Sequence, residues 1–272
     1  MLINPLDLTL LRRQFASSKP FPYVVVDDFL EPSFAREVAD AYPTFEQISQ
    51  MGFAFNAVNE RKKVQVTDSA LFAEPVRRLS DAIDSPAFLA DLSYITGIPN
   101  LLADEQHNGG GMHMTGPGGR LDVHIDFNVI SDRKIYRRLN LLLYLNPDWD
   151  ERLGGEVELW DRDVRKCVAR YPPTLNRCLI FQTSDISFHG VAPLRCPPNQ
   201  ARRSFAAYYY TKEHPEGFRG IAHSTVFRAR PDEPVRRYVL MPAEKLEREA
   251  RSRLIGGMRK VKRLLARAAL LS

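Results

Sequence analysis

The chain has 272 residues, of which 44% are hydrophobic and 26% charged; these are values of a folded globular protein able to bury its own core, which excludes wholly disordered and fibrous classes. The net charge of +5 is unevenly spread, because seven Lys and Arg and no acid fall in residues 251–272; the remainder is weakly acidic, so no nucleic-acid partner is expected. No apolar run is long enough to span a bilayer, the opening MLINPLDLTLLRRQF lacks the order of a secretory signal, and Cys167, Cys178 and Cys196 contain no C-x-x-C pair, so the expectation is a reduced cytoplasmic protein without a zinc site.

PFPYVVVDDFL reads as a strand, with Val24, Val25 and Val26 bounded by Pro22 and the Asp27–Asp28 pair. EPSFAREVADAYP then reads as a helix over 32–42, with Phe34, Val38 and Ala41 on one side and Pro43 as the stop. Residues 56–66, NAVNERKKVQV, are polar and basic and read as a loop. Residues 69–97 read as two helices broken near Ser85–Pro86. After Asn108 and its three glycines the texture changes to short β-like runs separated by turns: GRLDVHIDF, RRLNLLLYLN, GGEVELWD, NRCLIFQ, ISFHGVAP and RRSFAAYYYT. The expected architecture is α+β, with residues 1–107 as an N-terminal strand and supporting helices, 108–211 as a β core, and 212–272 as a C-terminal extension. Leu254, Met258, Val261, Leu265 and Ala268 recur at helical spacing among Arg and Lys, a basic amphipathic pattern suited to docking on the body, on a second subunit or on a membrane surface.

The chemistry is concentrated in LDVHIDF. Alternate residues of a strand share a face, so His124 and Asp126 project together while Val123, Ile125 and Phe127 pack on the other side. An imidazole and a carboxylate side by side make two parts of the facial triad of non-haem iron(II) sites, and His189, in a later apolar run, supplies the third. Two histidines and one carboxylate leave coordination positions open for a chelating co-substrate and dioxygen. If that co-substrate is 2-oxoglutarate, its distal carboxylate needs a buried cation, and Arg203, sharing a face with Phe205, Ala207 and Tyr209, is the expected one. Each residue alone has a plainer reading, a surface hydrogen-bonded pair or a satisfied core histidine; the ordered combination on predicted strands points to metal. His214–Pro215–Glu216 repeats the H-x-E spacing in a turn without strand pattern and is rejected.

His124-Ile125-Asp126, His189-Gly190-Val191 and RRSFAAYYYT, with LLYLNPDW and GGEVEL between them, resemble the iron(II)/2-oxoglutarate-dependent dioxygenases, in their prolyl-4-hydroxylase-like branch. The resemblance covers about residues 108–211 and the opening strand. It implies a double-stranded β-helix (jelly-roll) core, His124, Asp126 and His189 as iron ligands, Arg203 as the partner of the 2-oxoglutarate distal carboxylate, and Tyr144 as a hydrogen-bond donor to it. It also implies Fe(II), 2-oxoglutarate and dioxygen as cofactors, with ascorbate as a reductant, and hydroxylation of an unactivated C–H bond as 2-oxoglutarate becomes succinate and carbon dioxide. Where relatives carry a tyrosine ten residues before the first ligand, this chain has Met114; the adjacent His113 is either a contact to co-substrate or substrate or a structural histidine beside the glycine loop. The substrate is a peptide or a small molecule, selected by loops such as 56–66 and 127–136, with Trp160, Asp161 and Arg162 as further candidates. The competing class is a metal-free, cupin-like jelly-roll module that binds a sugar or peptide.

Overall fold

The computed structural model describes residues 2–218 and 221–246. The chain divides into two units at Arg228/Ala229.

The first unit begins with α1 (Leu8–Ser17), whose N-cap Asp7 accepts the Leu10 N–H. After β1 (Tyr23–Val26) comes α2 (Pro32–Asp40), with proline in its first turn and Glu31 as cap, burying Phe34, Ala35, Val38 and Ala39. α3 (Phe45–Met51) starts on a reciprocal Thr44–Gln47 capping box. The strands β2 (Phe53–Asn56) and β3 (Glu60–Val66) form a hairpin, followed by α4 (Glu74–Ile83) and α5 (Pro86–Thr96). The core strands are β4 (Gly111–Ile125), β5 (Val129–Ile130), β6 (Ile135–Tyr144), β7 (Val157–Trp160), β8 (Cys167–Tyr171), β9 (Cys178–Gln182), β10 (His189–Val191) and β11 (Arg202–Thr211), and β12 (Val226–Arg228) ends the unit.

The strand at 24–26, the helix after Pro32 and the two helices split at Ser85–Pro86 are as expected. The segment 56–66 is a correction. It is half of an antiparallel hairpin, and β3 pairs along β4 from Glu60↔Leu121 to Val66↔Met112. Its run of charged residues conceals the strand: Arg61 and Lys62 at its start are exposed, whereas Val64, Gln65 and Val66 at its end are buried.

The main path of the sheet is antiparallel, in the order β1-β9-β6-β11-β4-β10-β7-β8. It curls into a jelly roll because β4 serves both halves: Met112 to Thr115 pair with β11, and Leu121 and His124 pair with β10. The bend between them falls at Gly116-Pro117-Gly118-Gly119, where Gly118 takes φ +71°, a conformation costly for residues bearing a Cβ. The helices cover one face. Phe34, Val38, Leu79 and Leu92 pack there against Leu141, Met114, Phe205 and Tyr209 in one continuous core. The other face encloses Phe21, Tyr144, Val157, Leu159, Leu179 and Phe181. The central strands are thus buried on both sides, so their apolar runs are nearly continuous and do not alternate with polar residues.

In the second unit, residues 234–246 are helical, with one wide turn over Arg236–Leu240. The amphipathic pattern at 251–268 lies outside the described residues.

Candidate active site

His124 lies near the end of β4 and His189 opens β10, and the two are direct partners across the sheet. Their rings are 4.3 Å apart between centroids. Asp126 follows β4 by one residue on the same side. Its carboxylate oxygens lie 3.6 Å from His124 Nε2 and 3.5 Å from His189 Nε2, and one ligand atom from each of the three residues fits within 4.8 Å of the others. Val123 and Ile125 point the opposite way, into a cluster with Trp160, Val164 and Phe188. The strand alternation thus separates the polar triad from Val123 and Ile125, whereas Phe127, two residues past the end of β4, turns to the site side and stacks on Arg137, a correction to its expected place on the apolar face. Gly190 leaves the space for this pairing, since a Cβ there would meet the Leu121 carbonyl oxygen at 3.1 Å.

Both histidines have a fixed tautomer. His124 Nδ1 donates to the Asp122 carbonyl at 2.9 Å and His189 Nδ1 to the Ser187 carbonyl at 3.0 Å. A carbonyl oxygen only accepts, so each Nδ1 carries the proton and each Nε2 presents a lone pair to the shared space. Burial, reinforced by His124, pushes His189 down to about 4, so the ring is neutral near pH 7.

Asp126 is held by two neighbours that the sequence reading did not identify. Asn140 Nδ2 donates to Oδ2 at 2.8 Å, and Arg137 Nη2 lies 3.2 Å from the same oxygen. Arg137 Nε donates in turn to Asn140 Oδ1 at 2.9 Å, which fixes the amide orientation. The guanidinium stacks 3.4 Å from the Tyr208 ring centroid and 4.7 Å from that of Phe127. Burial alone raises the Asp126 carboxyl, but Arg137 and the two histidines outweigh it and hold the group well below the usual carboxylate range. With Oδ2 taken by Asn140 and Arg137, Oδ1 is the oxygen left for a cation.

The arginine facing this interior is Arg202. Its Nε donates to the Gly155 carbonyl at 2.8 Å, its Nη1 to Ser204 Oγ at 3.3 Å, and its guanidinium carbon lies 4.9 Å from the Tyr144 ring centroid. Arg202 is buried, and among the described residues no carboxylate lies within ion-pair distance of it. Arg203, the expected cation, is a correction. It projects to the helical side, where Nη1 donates to the Ala39 carbonyl at 3.2 Å. Alternation on β11 places Phe205, Ala207 and Tyr209 with Arg203 against the helices and puts Ser204, Ala206 and Tyr208 with Arg202 inside. Gly155 serves this arrangement: at φ +77° its carbonyl reaches Arg202, and a Cβ would meet the arginine's Cδ at 3.3 Å.

Tyr144 is fully buried beside Arg202. Its hydroxyl has no partner of hydrogen-bond geometry, and burial pushes it up to about 12. A buried guanidinium whose nearest acid, Glu156, stays beyond ion-pair distance, beside a buried hydroxyl that has only this arginine for company, leaves a place for an anionic group with oxygen acceptors. The three-residue cluster, with lone pairs converging and a carboxylate held ionised, has the donor set of a divalent iron site. The residues thus fit both a ferrous ion and a keto-diacid.

His113 also faces inward, between Gln65 of β3 and Ser204 of β11, and its Nε2 donates to the Gly109 carbonyl at 3.0 Å. Met114 packs on the helical side. Burial, with Lys63 and Arg202 adding repulsion, depresses His113 to about 3. A depressed histidine favours folding above the unfolded-state pKa and loses that contribution as pH falls. Stability should therefore decline from about pH 6.5 towards pH 3, at about 1.4 kcal/mol per pH unit for this group. Urea unfolding at a series of pH values checks this, and His113→Asn should flatten the slope.

The remaining candidates lie elsewhere. His214 packs against Tyr136 and Phe218, away from the triad. Trp160 donates to the buried Glu158 and supports the sheet from outside. Phe227 of β12, unexpected from sequence, lies 5.4 Å from the His124 ring between centroids.

Residues 110–210 match the family model of the 2OG-Fe(II) oxygenase superfamily. The chain is 28% identical over 213 residues to prolyl 3,4-dihydroxylase OGFOD1 of Ostreococcus tauri, covering 71% of this chain and 38% of that one. It is 33% identical over 78 residues to prolyl 3-hydroxylase OGFOD1 of Mus musculus, covering 27% of this chain and 14% of that one. The chain thus spans well under half the length of the curated relatives it matches. Among solved structures, a prolyl hydroxylase of Trichoplax adhaerens, in complex with a hypoxia-inducible-factor peptide fragment, superposes with TM-score 0.54 and 20% identity over 75% of this chain and 89% of its own.

Proposed function

We propose, on the match of residues 110–210 to the 2OG-Fe(II) oxygenase superfamily, that the chain is an iron(II)- and 2-oxoglutarate-dependent dioxygenase that hydroxylates an unactivated C–H bond of a peptidyl, prolyl-type substrate. The observation that carries this reading is the convergence of His124, Asp126 and His189 in the same interior as the buried Arg202. His124 Nε2, Asp126 Oδ1 and His189 Nε2 would hold the metal, and Arg202 with Tyr144 would grip the distal carboxylate of 2-oxoglutarate. Bound together, iron(II), 2-oxoglutarate and dioxygen supply the oxidation, with 2-oxoglutarate ending as succinate and carbon dioxide and one oxygen atom inserted in the substrate.

The chain's own residues orient and enclose. Nδ1 hydrogen bonds point both imidazoles, Asn140 and Arg137 leave one carboxylate oxygen for the metal, and Phe181, 4.7 Å from the His189 ring between centroids, keeps water from that side. Ascorbate would serve as the external reductant, and three cysteines without a C-x-x-C pair suit a reducing compartment such as the cytoplasm.

A peptide is favoured over a free small molecule by the hairpin. Phe53, Phe55, Met51 and Leu71 line a groove that reaches Gly109, itself beside Tyr208 and Phe127 at the site. Such a surface suits an extended chain that presents one residue to the metal. The test is succinate formation with iron(II), 2-oxoglutarate and oxygen across prolyl peptides, free amino acids and sugar or lipid intermediates. Stimulation by prolyl peptides is expected; stimulation only by a small molecule overturns the peptidyl assignment, and no turnover with any metal-loaded preparation overturns the enzyme.

A further inference from the structure

Residues 221–228 are fastened to the loops on both sides of the triad. Behind Asp126, the Asn128 amide brackets their backbone: Nδ2 donates to the Ile221 carbonyl at 3.0 Å, and Oδ1 accepts the His223 N–H at 3.0 Å. In the segment that leads to His189, Asp185 Oδ1 lies 3.1 Å from His223 Nε2, and the Arg228 guanidinium stacks 4.3 Å from the Phe188 ring centroid. β12 then pairs with β4 through Val226↔Ile125, Phe227↔His124 and Arg228↔Val123. At His124, β10 takes one edge of β4 and β12 the other. Directly opposed residues of an antiparallel pair share a face. Phe227 therefore stands with His124 on the ligand side of the sheet, and its neighbours Val226 and Arg228 are exposed on the other.

The position of that ring within the site is set by a row of four. Phe181, His189, His124 and Phe227 follow one another with centroids 4.7, 4.3 and 5.4 Å apart. Phe181 closes the deep end, fully buried in one cluster with Tyr144. Phe227 ends the row half-buried. Tyr144 and Arg202 offer the deep end to the co-substrate, so the half-open end is the side from which a second molecule can reach the metal. His124 takes its orientation from its Nδ1 bond to the Asp122 carbonyl, which leaves the Phe227 face for a ligand.

On the oxygenase reading above, we infer that Phe227 is a specificity-determining residue: an apolar wall at the mouth of the site, held by the strap 221–228, on which the substrate residue carrying the reacting C–H bond packs. An aromatic face suits a compact apolar ring such as that of proline and disfavours a charged or strongly hydrated group in the same place.

The experiment uses the full chain and the prolyl peptide that most stimulates succinate formation. Phe227→Ala should raise the KM for that peptide by about tenfold, and the Kd of the same peptide, labelled and measured without oxygen by fluorescence anisotropy, should rise with it. The ratio of succinate to hydroxylated peptide should also rise, because a loosely held C–H bond is missed while 2-oxoglutarate is consumed. Phe227→Leu keeps an apolar wall and should recover most of the KM while retaining a raised ratio. In both variants the KM for 2-oxoglutarate and the visible band formed with iron(II) and 2-oxoglutarate without oxygen should keep their unsubstituted values. Circular dichroism checks the fold; if Phe227→Ala loses it, the ratio in Phe227→Leu decides, a rise supporting the inference and no change overturning it. Unchanged peptide KM and ratio in Phe227→Ala overturn the inference and leave the oxygenase standing. Loss of the band, or an equal rise in the KM for 2-oxoglutarate, also overturns it and makes Phe227 a support of His124. A band in the unsubstituted protein without stimulation by any prolyl peptide removes the peptidyl substrate and this wall together, and leaves the metal and co-substrate assignments in place.

Discussion

Replacing His189 with Ala should lower substrate-stimulated succinate formation by at least about a thousandfold, equivalent to about 4 kcal/mol of transition-state stabilisation. The same change should abolish the visible charge-transfer band expected when iron(II) and 2-oxoglutarate are added without oxygen. The large effect follows from geometry: two imidazoles and one carboxylate oxygen close the protein's side of the site, and no further His, Cys, Asp or Glu joins that cluster among the described residues. His124→Ala should behave alike. Asp126→Ala should match them in turnover but differ in stability. Asp126 is the carboxylate facing the buried Arg137, and removing it strands a guanidinium between Tyr208 and Phe127, at a cost of about 3–5 kcal/mol. Asp126→Asn keeps the shape and should lose turnover with less loss of stability. Activity assays paired with thermal melts separate the two effects. A jelly-roll binding module without metal would bind its ligand equally well in all three alanine variants, and that result would remove the enzyme reading.

The His124–Asp126–His189 cluster was readable because strand alternation acts on a short, distinctive word. In LDVHIDF only one phase puts His124 with Asp126 and Val123 with Ile125, and the apolar side found its cluster against Trp160 and Phe188. The helices were readable where proline and a cap coincide, as at Glu31–Pro32 and Ser85–Pro86. What stayed hidden had a physical cause in each case. β11 is buried on both faces, so its apolar periodicity does not say which face meets the helices; Phe205 and Tyr209 belong to the helical side and carried Arg203 with them. Arg137 and Asn140 lie three apart on β6, a spacing that simple alternation assigns to opposite faces. The register shift between Tyr209 and Tyr210, opposite them, allows both to reach Asp126. The β2–β3 hairpin was hidden by the charged run that opens β3, where Arg61 and Lys62 are exposed before the buried Val64–Val66 end.

The sharpest consequence of that phase error is a contrast between adjacent arginines. Arg202→Ala should raise the KM for 2-oxoglutarate by about a hundredfold, since two charge-assisted hydrogen bonds to a carboxylate are worth about 3 kcal/mol. Tyr144→Phe should raise it less, because the hydroxyl adds one neutral donor. Arg202→Lys should recover part of the loss, because the ammonium keeps the charge but not the fork that also reaches Gly155 and Ser204. Arg203→Ala removes a hydrogen bond to the Ala39 carbonyl at the seam between β11 and α2. It should cost about 1 kcal/mol of stability and leave the KM for 2-oxoglutarate within about twofold of its starting value, since its guanidinium points to the helical layer and not to the interior. Succinate formation against 2-oxoglutarate concentration, with urea unfolding of the same four variants, reads both quantities. If Arg203→Ala raises KM and Arg202→Ala does not, the co-substrate lies on the other side of β11, and the assignment of the barrel interior as its pocket fails with it.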